Sequence, residues 1–425
     1  MKQVLVLGGG VIGTSTAWYL RQAGFNVTVI ERQPGVAQET SFANGGQISV
    51  SHAYPWSNPA TPLKLLKWLG QEDAPLLFRP GLNPFQWQWC LRFLRECMPQ
   101  RSLQNMQKIV ELAEYSRQSL RELRQQTGLA YQHLSKGILH FYTDQREFND
   151  ATKILSRMQQ AGCPRQLISI EQALSLEPAL YAVRDKLIGA DYTASDESGN
   201  IHLFSQNLAS LASKQGVDFR YSCQVTRLHH DARTKSLTGL EIIDETGQFQ
   251  QLSADYYVMA MASHSPELVK PLGLRCWIYP AKGYSVTLPV AEQRSAPMVS
   301  LTDDQYKLVF SRLGDHLRVA GTCEIAGFDR SLNDARCQAI LKRTRELFPA
   351  ACDYENPAYW SGLRPLTPAN LPYLGKTRYT NLFLNTGHGS LGWTMAAGSA
   401  KIISHLLLDQ KPELWPDFNW HADGL

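Results

Sequence analysis

The chain lacks the runs and clusters that mark several large protein classes. No stretch of eighteen apolar residues occurs in its 425 residues, so no segment is expected to span a bilayer. No long Lys/Arg run appears, and a net charge of +4 over this length argues for neither DNA nor RNA as a partner. The eight cysteines (Cys90, Cys97, Cys163, Cys223, Cys276, Cys323, Cys337 and Cys352) include no CxxC pair and no Cys/His group at metal-ligand spacing. They read as reduced, mostly buried thiols, and no metal is expected. The first apolar strand begins by residue 3, which leaves no room before it for a charged n-region, an apolar h-region and a cleavage site. A cytoplasmic location is the expectation. With 44% hydrophobic and 19% charged residues, the composition is that of an ordinary globular protein, and the length points to two domains.

What is present is concentrated at the N-terminus. The apolar run Val4–Leu7 leads into Gly8-Gly9-Gly10-Val11-Ile12-Gly13, then a helical stretch, then Asn26-Val27-Thr28-Val29-Ile30-Glu31-Arg32. Strand, tight turn, helix and strand follow one another as in a dinucleotide-binding βαβ unit. The three glycines act separately, since Gly8 makes the turn, Gly10 clears the way for a diphosphate, and Gly13 lets helix and sheet pack closely. The helix N-terminus supplies free N–H groups and a positive dipole end. Glu31, at the end of the second strand, suits the two hydroxyls of an adenosine ribose and would repel a 2′-phosphate.

Farther along, Thr40–Ile48 forms a small polar loop with Ser41, Asn44, Gly45, Gly46 and Gln47, suited to wrapping a cofactor. The stretch from Tyr54 to Pro99 holds four of the ten tryptophans and six prolines between Pro55 and Pro84. Its segments Leu63–Leu69 and Phe85–Leu94 mix aromatics with Lys64, Lys67, Arg92 and nearby Arg95, a pattern shared by interfacial membrane segments and by ordinary hydrophobic packing. Helical spacing from Arg101 predicts a long amphipathic helix stopped by Gly128, and Ser169-x-x-Gln172 a capping box. Residues 277–325 alternate apolar and polar positions as an antiparallel sheet would. Near the C-terminus, Leu382–Asn385 reads as a strand feeding a second glycine-rich turn, Gly387-His388-Gly389-Ser390-Leu391-Gly392, that opens a helix.

These features, with Asp196-Glu197-Ser198-Gly199, Lys282-Gly283-Tyr284-Ser285 and Trp360-Ser361-Gly362-Leu363-Arg364-Pro365, resemble the small subunit of bacterial D-amino acid dehydrogenase, in order along essentially the whole chain. That family lies within the D-amino acid oxidase and glycine oxidase group. The resemblance implies an α/β plus α+β fold: a Rossmann-like FAD-binding domain (1–90, 196–270 and 355–425) and an antiparallel-sheet substrate domain (91–195 and 271–354). It implies non-covalent FAD, held by the first turn (Gly8, Gly10, Val11, Ile12, Gly13), by Glu31 and Arg32, by the loop around Ser41, by Val225, and by Gly387–Gly392. The helix after Gly389 would direct its positive end at the flavin's N1–C2 carbonyl, where charge accumulates on reduction. By the same resemblance Arg364 anchors the substrate carboxylate, Tyr306 is a pocket tyrosine, and Tyr284 is a further pocket candidate. One departure stands out: at the end of the apolar strand Tyr256–Ala262 the family usually carries glycine, whereas this chain has Ala262.

The implied reaction is oxidative deamination of a D-amino acid (D-alanine, D-proline or hydroxyproline type) by hydride transfer to flavin N5, with no obligatory acid or base. Electrons would pass to a quinone or other carrier, with the protein peripheral on the inner face of the plasma membrane. A dioxygen-using oxidase and a non-catalytic flavoprotein subunit remain alternatives. An NAD-dependent dehydrogenase would share the first turn but leave the second unexplained. Oligomeric state is not encoded in any motif.

Overall fold

The computed structural model describes residues 1–68, 72 and 74–414. The strand Gln3–Leu7 sits inside a six-stranded sheet, paired in parallel with Asn26–Ile30 on one side and Tyr256–Met259 on the other. The sheet runs Tyr373–Lys376, Leu382–Thr386, Tyr256–Met259, Gln3–Leu7, Asn26–Ile30, Asp218–Arg220, and only the first of these is antiparallel to its neighbour. Both faces of a central parallel strand are covered, so it is apolar throughout. Successive side chains point to opposite faces. Val4 and Val6 enter a core shared with the helices Val11–Gln22, Ile201–Lys214 and Gly392–Leu407. Leu5 and Leu7 enter another, closed by the three-stranded antiparallel sheet Gln224–Asp231, Ser236–Ile243 and Phe249–Leu252.

The second large sheet has the order Ala358–Leu366, Tyr279–Pro289, His316–Ile325, Leu308–Leu313, Ser300–Asp303, Ile138–Tyr142, Gly189–Thr193, Gln166–Ile168. It is antiparallel except where Ser300–Asp303 meets Ile138–Tyr142 and where the short strand Leu76–Phe78 adds in parallel to Cys323–Ile325. A helix, Asp334–Leu347, covers one face. The capping box forms as expected, Ser169 Oγ accepting from the Gln172 N–H while Gln172 Oε1 accepts from the Ser169 N–H.

Three pieces of chain lie elsewhere than their expected side of the domain division. The helix Pro99–Thr127, expected in the substrate domain, buries Met106, Ile109, Val110, Ala113, Leu120 and Leu123 in the core of the nucleotide-type sheet. It crosses Gly392–Leu407 so closely that a side chain at Gly398 would strike Ser116, whose Oγ accepts the Gly398 N–H at 2.9 Å. Helical spacing showed which face is buried, not what covers it. Conversely, Ala358–Leu366 is an edge strand of the second sheet, and Leu76 and Trp89 pack on that sheet with Trp277 and Tyr279. Strand pairing, which involves residues far apart in sequence, decides both.

The motif Asp196–Glu197 joins that long helix to the polar loop. Asp196 is fully buried; its two carboxylate oxygens accept the Val50 and Ser51 N–H groups at 3.0 Å each, and Arg117 lies 3.2 Å away. Glu197 takes Arg121 and Arg124, each at 2.6 Å. Asp196→Ala leaves buried donors without acceptors, and an unfolding free energy lower by about 3 kcal/mol is expected. Urea denaturation measures it, and a loss under about 0.5 kcal/mol, the range of ordinary surface substitutions, would contradict the clamp.

Candidate active site

A cavity of about 690 Å³ runs between the two large sheets. At one end is the first glycine turn. Gly8 has φ +103°, and a Cβ there would lie 2.7 Å from the Ala260 carbonyl oxygen; a Cβ on Gly13 would overlap the Gly8 carbonyl oxygen. A Cβ on Gly10, by contrast, would meet only Ser41 Oγ, at 3.6 Å. Two of the three glycines therefore serve the joint between strand and helix, and the third faces open space. Gly8, Gly10, Val11 and Ile12 line the cavity, whereas Gly13, expected among the cofactor residues, does not: it lies behind the turn as packing. No side chain caps the helix Val11–Gln22 at Gly10. Ser41 Oγ accepts the Val11 N–H at 3.2 Å, so the polar loop is fastened to the helix N-terminus.

Glu31 accepts the Gly9 and Gln33 N–H groups at 2.6 and 2.8 Å. Burial raises its carboxyl above the usual range although those bonds oppose the shift. Arg32 beside it is held by Glu39, and Val225 completes this part of the wall. Asn44, Gly45, Gly46 and Gln47 line the middle of the cavity. Gly46 has φ +73°, and its N–H is taken by Asn44 Oδ1 at 3.0 Å.

The second turn, Gly387 to Gly392, also faces the cavity, directly before the helix Gly392–Leu407. Gly387 and Gly389 have φ +82° and +58°. His388 is buried with Nε2 3.3 Å from Ser399 Oγ, and burial pushes it down to about 3, so it is a neutral packing group at physiological pH. Ala262 adopts φ +50° on the cavity wall. The position does require the left-handed backbone that glycine adopts freely, and alanine occupies it at a conformational cost.

Arg364 lines the cavity at the second sheet. Its strand faces Tyr279–Pro289 through the pair Gly362–Gly283, and a side chain on Gly283 would collide with the guanidinium. Arg364 Nη1 donates to the Thr322 carbonyl at 2.7 Å, and among the described residues no carboxylate pairs with it. Burial lowers its pKa, the sign of a cation short of counter-charge. Arg312, Arg318 and Arg336, away from the cavity, and Arg157, at its wall, also lack an acid partner among the described residues.

The two tyrosines fare differently from expectation. Tyr284 is at the wall, but its hydroxyl donates to Glu324 Oε2 at 2.6 Å, inside a network with Lys282 and Asp329. Tyr306 is not in the cavity: it is 42% exposed, with the Arg343 guanidinium 4.1 Å from its ring centre. It belongs to the turn between Ser300–Asp303 and Leu308–Leu313, where strand alternation no longer fixes which way a residue points. The neighbouring Lys307 lines the cavity instead.

Lys307 opens onto a group that no sequence motif announced. Asp304 holds Lys307 Nζ at 3.1 Å and His140 Nδ1 at 2.8 Å, with Arg165 at 4.0 Å. Burial disfavours the Asp304 charge, yet Lys307, His140 and Arg165 keep its carboxyl well below the usual range. His52 stacks on His140 with ring centres 4.7 Å apart, and burial together with His140 keeps it neutral. The only local signal was polar residues inside otherwise apolar strands.

The family model described as FAD dependent oxidoreductase matches residues 3–406. The chain belongs to the FAD-dependent oxidoreductase family. It is 52% identical to a D-amino acid dehydrogenase from Dechloromonas aromatica over 98% of this chain and 99% of that one. With one from Paramagnetospirillum magneticum the identity is 48% over 95% and 94%. A solved structure of glycine oxidase from Bacillus cereus shares the fold, with a TM-score of 0.72 at 21% identity over 97% of this chain and 96% of that one.

The residues present fit FAD. The open side of Gly10 admits a diphosphate, the acid at the end of the second strand suits a ribose without a 2′-phosphate, and the cavity continues past the second glycine turn to Arg364. Because Gly10 faces empty space, Gly10→Val is expected to fold normally yet purify without flavin. Absorption of the purified variant checks this; one flavin per chain would contradict the diphosphate position.

Proposed function

We propose that this flavoprotein oxidises D-amino acids to 2-oxo or imino acids, with Arg364 anchoring the substrate carboxylate. The observation that carries the reading is the guanidinium at the cavity wall with no anion of its own. A planar fork of N–H donors suits a carboxylate, and a desolvated cation gains most from one. The 52% identity to a D-amino acid dehydrogenase favours the D series.

Bound FAD supplies the two-electron acceptor for the hydride leaving the substrate Cα. In this reading the first turn holds the diphosphate, Glu31 the ribose, and the helix after Gly389 presents its positive end to the flavin. The loop from Ser41 to Gln47 lies along the cofactor. Arg364 orients the substrate, whose amine must be neutral when hydride leaves and the C–N bond becomes an imine. From a primary amine such as D-alanine, water then hydrolyses the imino acid to the 2-oxo acid and ammonia; from a cyclic amine such as D-proline the product is the cyclic imino acid. Positioning and electrostatics are the protein's contribution, and no dedicated base is assigned.

The test is anaerobic mixing with D-alanine, D-proline or D-4-hydroxyproline, in which the oxidised flavin band is expected to bleach, with the L-enantiomers as controls. Failure of every D-amino acid to bleach it would overturn the reading. Arg364→Ala is expected to keep FAD and lose on the order of 2 to 5 kcal/mol in kcat/KM. An unchanged ratio would remove Arg364 from the anchor role.

For the electrons, we infer a quinone or similar carrier met at a membrane surface. Among the described residues no helix is long and apolar enough to cross a membrane. In support of peripheral docking, the helix Pro84–Glu96 exposes Trp87, Leu91 and Leu94 at helical spacing, with Leu82 and Met98 exposed at its two ends. Such a stripe suits the headgroup boundary. Leu63 is exposed, but Lys64 turns inward to Glu147 at 3.1 Å, and Leu69 lies outside the described residues. Co-sedimentation with anionic vesicles at low salt is expected, weakening at high salt. Failure to co-sediment would refute docking, and peroxide production as fast as dye reduction would make the protein an oxidase.

A further inference from the structure

Four non-glycine residues lining the cavity have left-handed backbone angles: Ala37 and Ala262, and the two that carry polar side chains, Thr322 and Lys307, with φ +52° and +54°. The latter two are cross-strand neighbours: the last pair between Leu308–Leu313 and His316–Ile325 is Leu308 with Gly321, and Lys307 and Thr322 come next. Threonine is β-branched and especially ill-suited to this conformation. Residues held this way concentrate where function needs an unusual backbone.

The cause at Thr322 is visible in the register. Lys282 pairs with Glu324 and Tyr284 with Gly321, so Thr322 and Cys323 together oppose Gly283 alone. This is a β-bulge, which re-aims the residues it contains. Its effect is that the Thr322 carbonyl receives Arg364 Nη1 at 2.7 Å. Thr322 Oγ1 is buried and has no partner among the described residues. On the other side, Lys307 has three N–H donors, of which one is taken by Asp304 Oδ1. Glu147 lies 3.7 Å from the same nitrogen, and both acids raise its pKa against the opposing effect of burial.

Arg364, Thr322 and Lys307 thus form a contiguous strip of the wall, bringing together a guanidinium, an unpaired hydroxyl and an ammonium. Each offers a donor at the cavity wall, and Lys307 keeps donors beyond the one taken by Asp304. The geometry points to Thr322 and Lys307 as binding residues that share the substrate carboxylate with Arg364. This assignment rests on the amino-acid oxidation reading and adds the residues that complete its anion site. The bulge gives the strip its shape, since it turns one carbonyl to hold the guanidinium and leaves the hydroxyl of the same residue for the ligand.

The test uses the FAD-loaded full chain and two readouts, namely KM against kcat for D-alanine, and the dissociation constant of propanoate, which has the carboxylate but no amine, read from the flavin absorption band. Glycine accepts left-handed angles, so Thr322→Gly and Lys307→Gly remove the donors while keeping the backbone, and flavin content and Tm should not fall. Each is expected to weaken propanoate on the order of 10-fold and to raise KM alike, with kcat changing far less. Thr322→Ser is expected to restore binding. Should Lys307→Gly not fold, Lys307→Asn, which tolerates the left-handed region, is expected to give the same weakening. Propanoate binding within two-fold of wild type in both Thr322→Gly and the Lys307 variant would overturn the proposal. If wild-type flavin is reduced by no D-amino acid, the functional reading fails, while the propanoate titration still judges the anion site on its own.

Discussion

The absence of a side chain at Gly13 is the constraint on which the site depends. Only a bare Cα lets the helix start so close behind the Gly8 carbonyl, and that contact sets the angle between the first strand and its helix. Everything at the cofactor end follows from this joint: the Gly10 face is left open, the uncapped N-terminus points into the cavity, and Ser41 can reach the Val11 N–H. The parallel partner strand then delivers Glu31 beside the same turn, where the Gly9 N–H fixes its carboxylate. A helix dipole contributes most within its first turn, so a displacement of even a few ångströms would forfeit it.

At the other end the constraint is electrostatic. Several buried arginines with structural duties have carboxylates beside them: Arg117 with Asp196, Arg165 with Asp191, Arg343 with Asp303; Arg312 and Arg336, away from the cavity, rest on carbonyl groups instead. Pairing offsets part of the cost of taking a charge out of water. Arg364 is held in place by a carbonyl and by space cleared at Gly283, and it is left without an anion. Its position is specified while its charge is not satisfied, which is the arrangement of a binding group and not of a staple. The strained bulge beside it serves the same end, since an ordinary ladder would have committed the Thr322 carbonyl to strand pairing.

The polar loop between the two ends is stabilised from a distance. Asp196 binds the backbone that follows the loop, at Val50 and Ser51, and the partner of Asp196 comes from a helix packed on the nucleotide-type core. A disturbance in that helix therefore reaches the cavity through two hydrogen bonds, without any contact to a ligand.

By itself the sequence determined the parts whose geometry is local. Gly8, Gly10 and Gly13 encode a turn within six residues, Glu31 follows at the end of the next strand, Gly387–Gly392 encodes a second turn into a helix, and the departure at Ala262 marks a left-handed position that the backbone does adopt. Arg364 was legible because its neighbours form a motif. What only the tertiary structure decided involves pairing over long separations or parity at a turn. The strand Ala358–Leu366 and the helix Pro99–Thr127 each joined the other sheet's side, because an apolar face does not name what covers it. Tyr306 left the cavity and Lys307 entered it, because one residue at a turn exchanges inside for outside. The Asp304–His140–His52 group formed from three separate segments, and no spacing within any one of them carries that information.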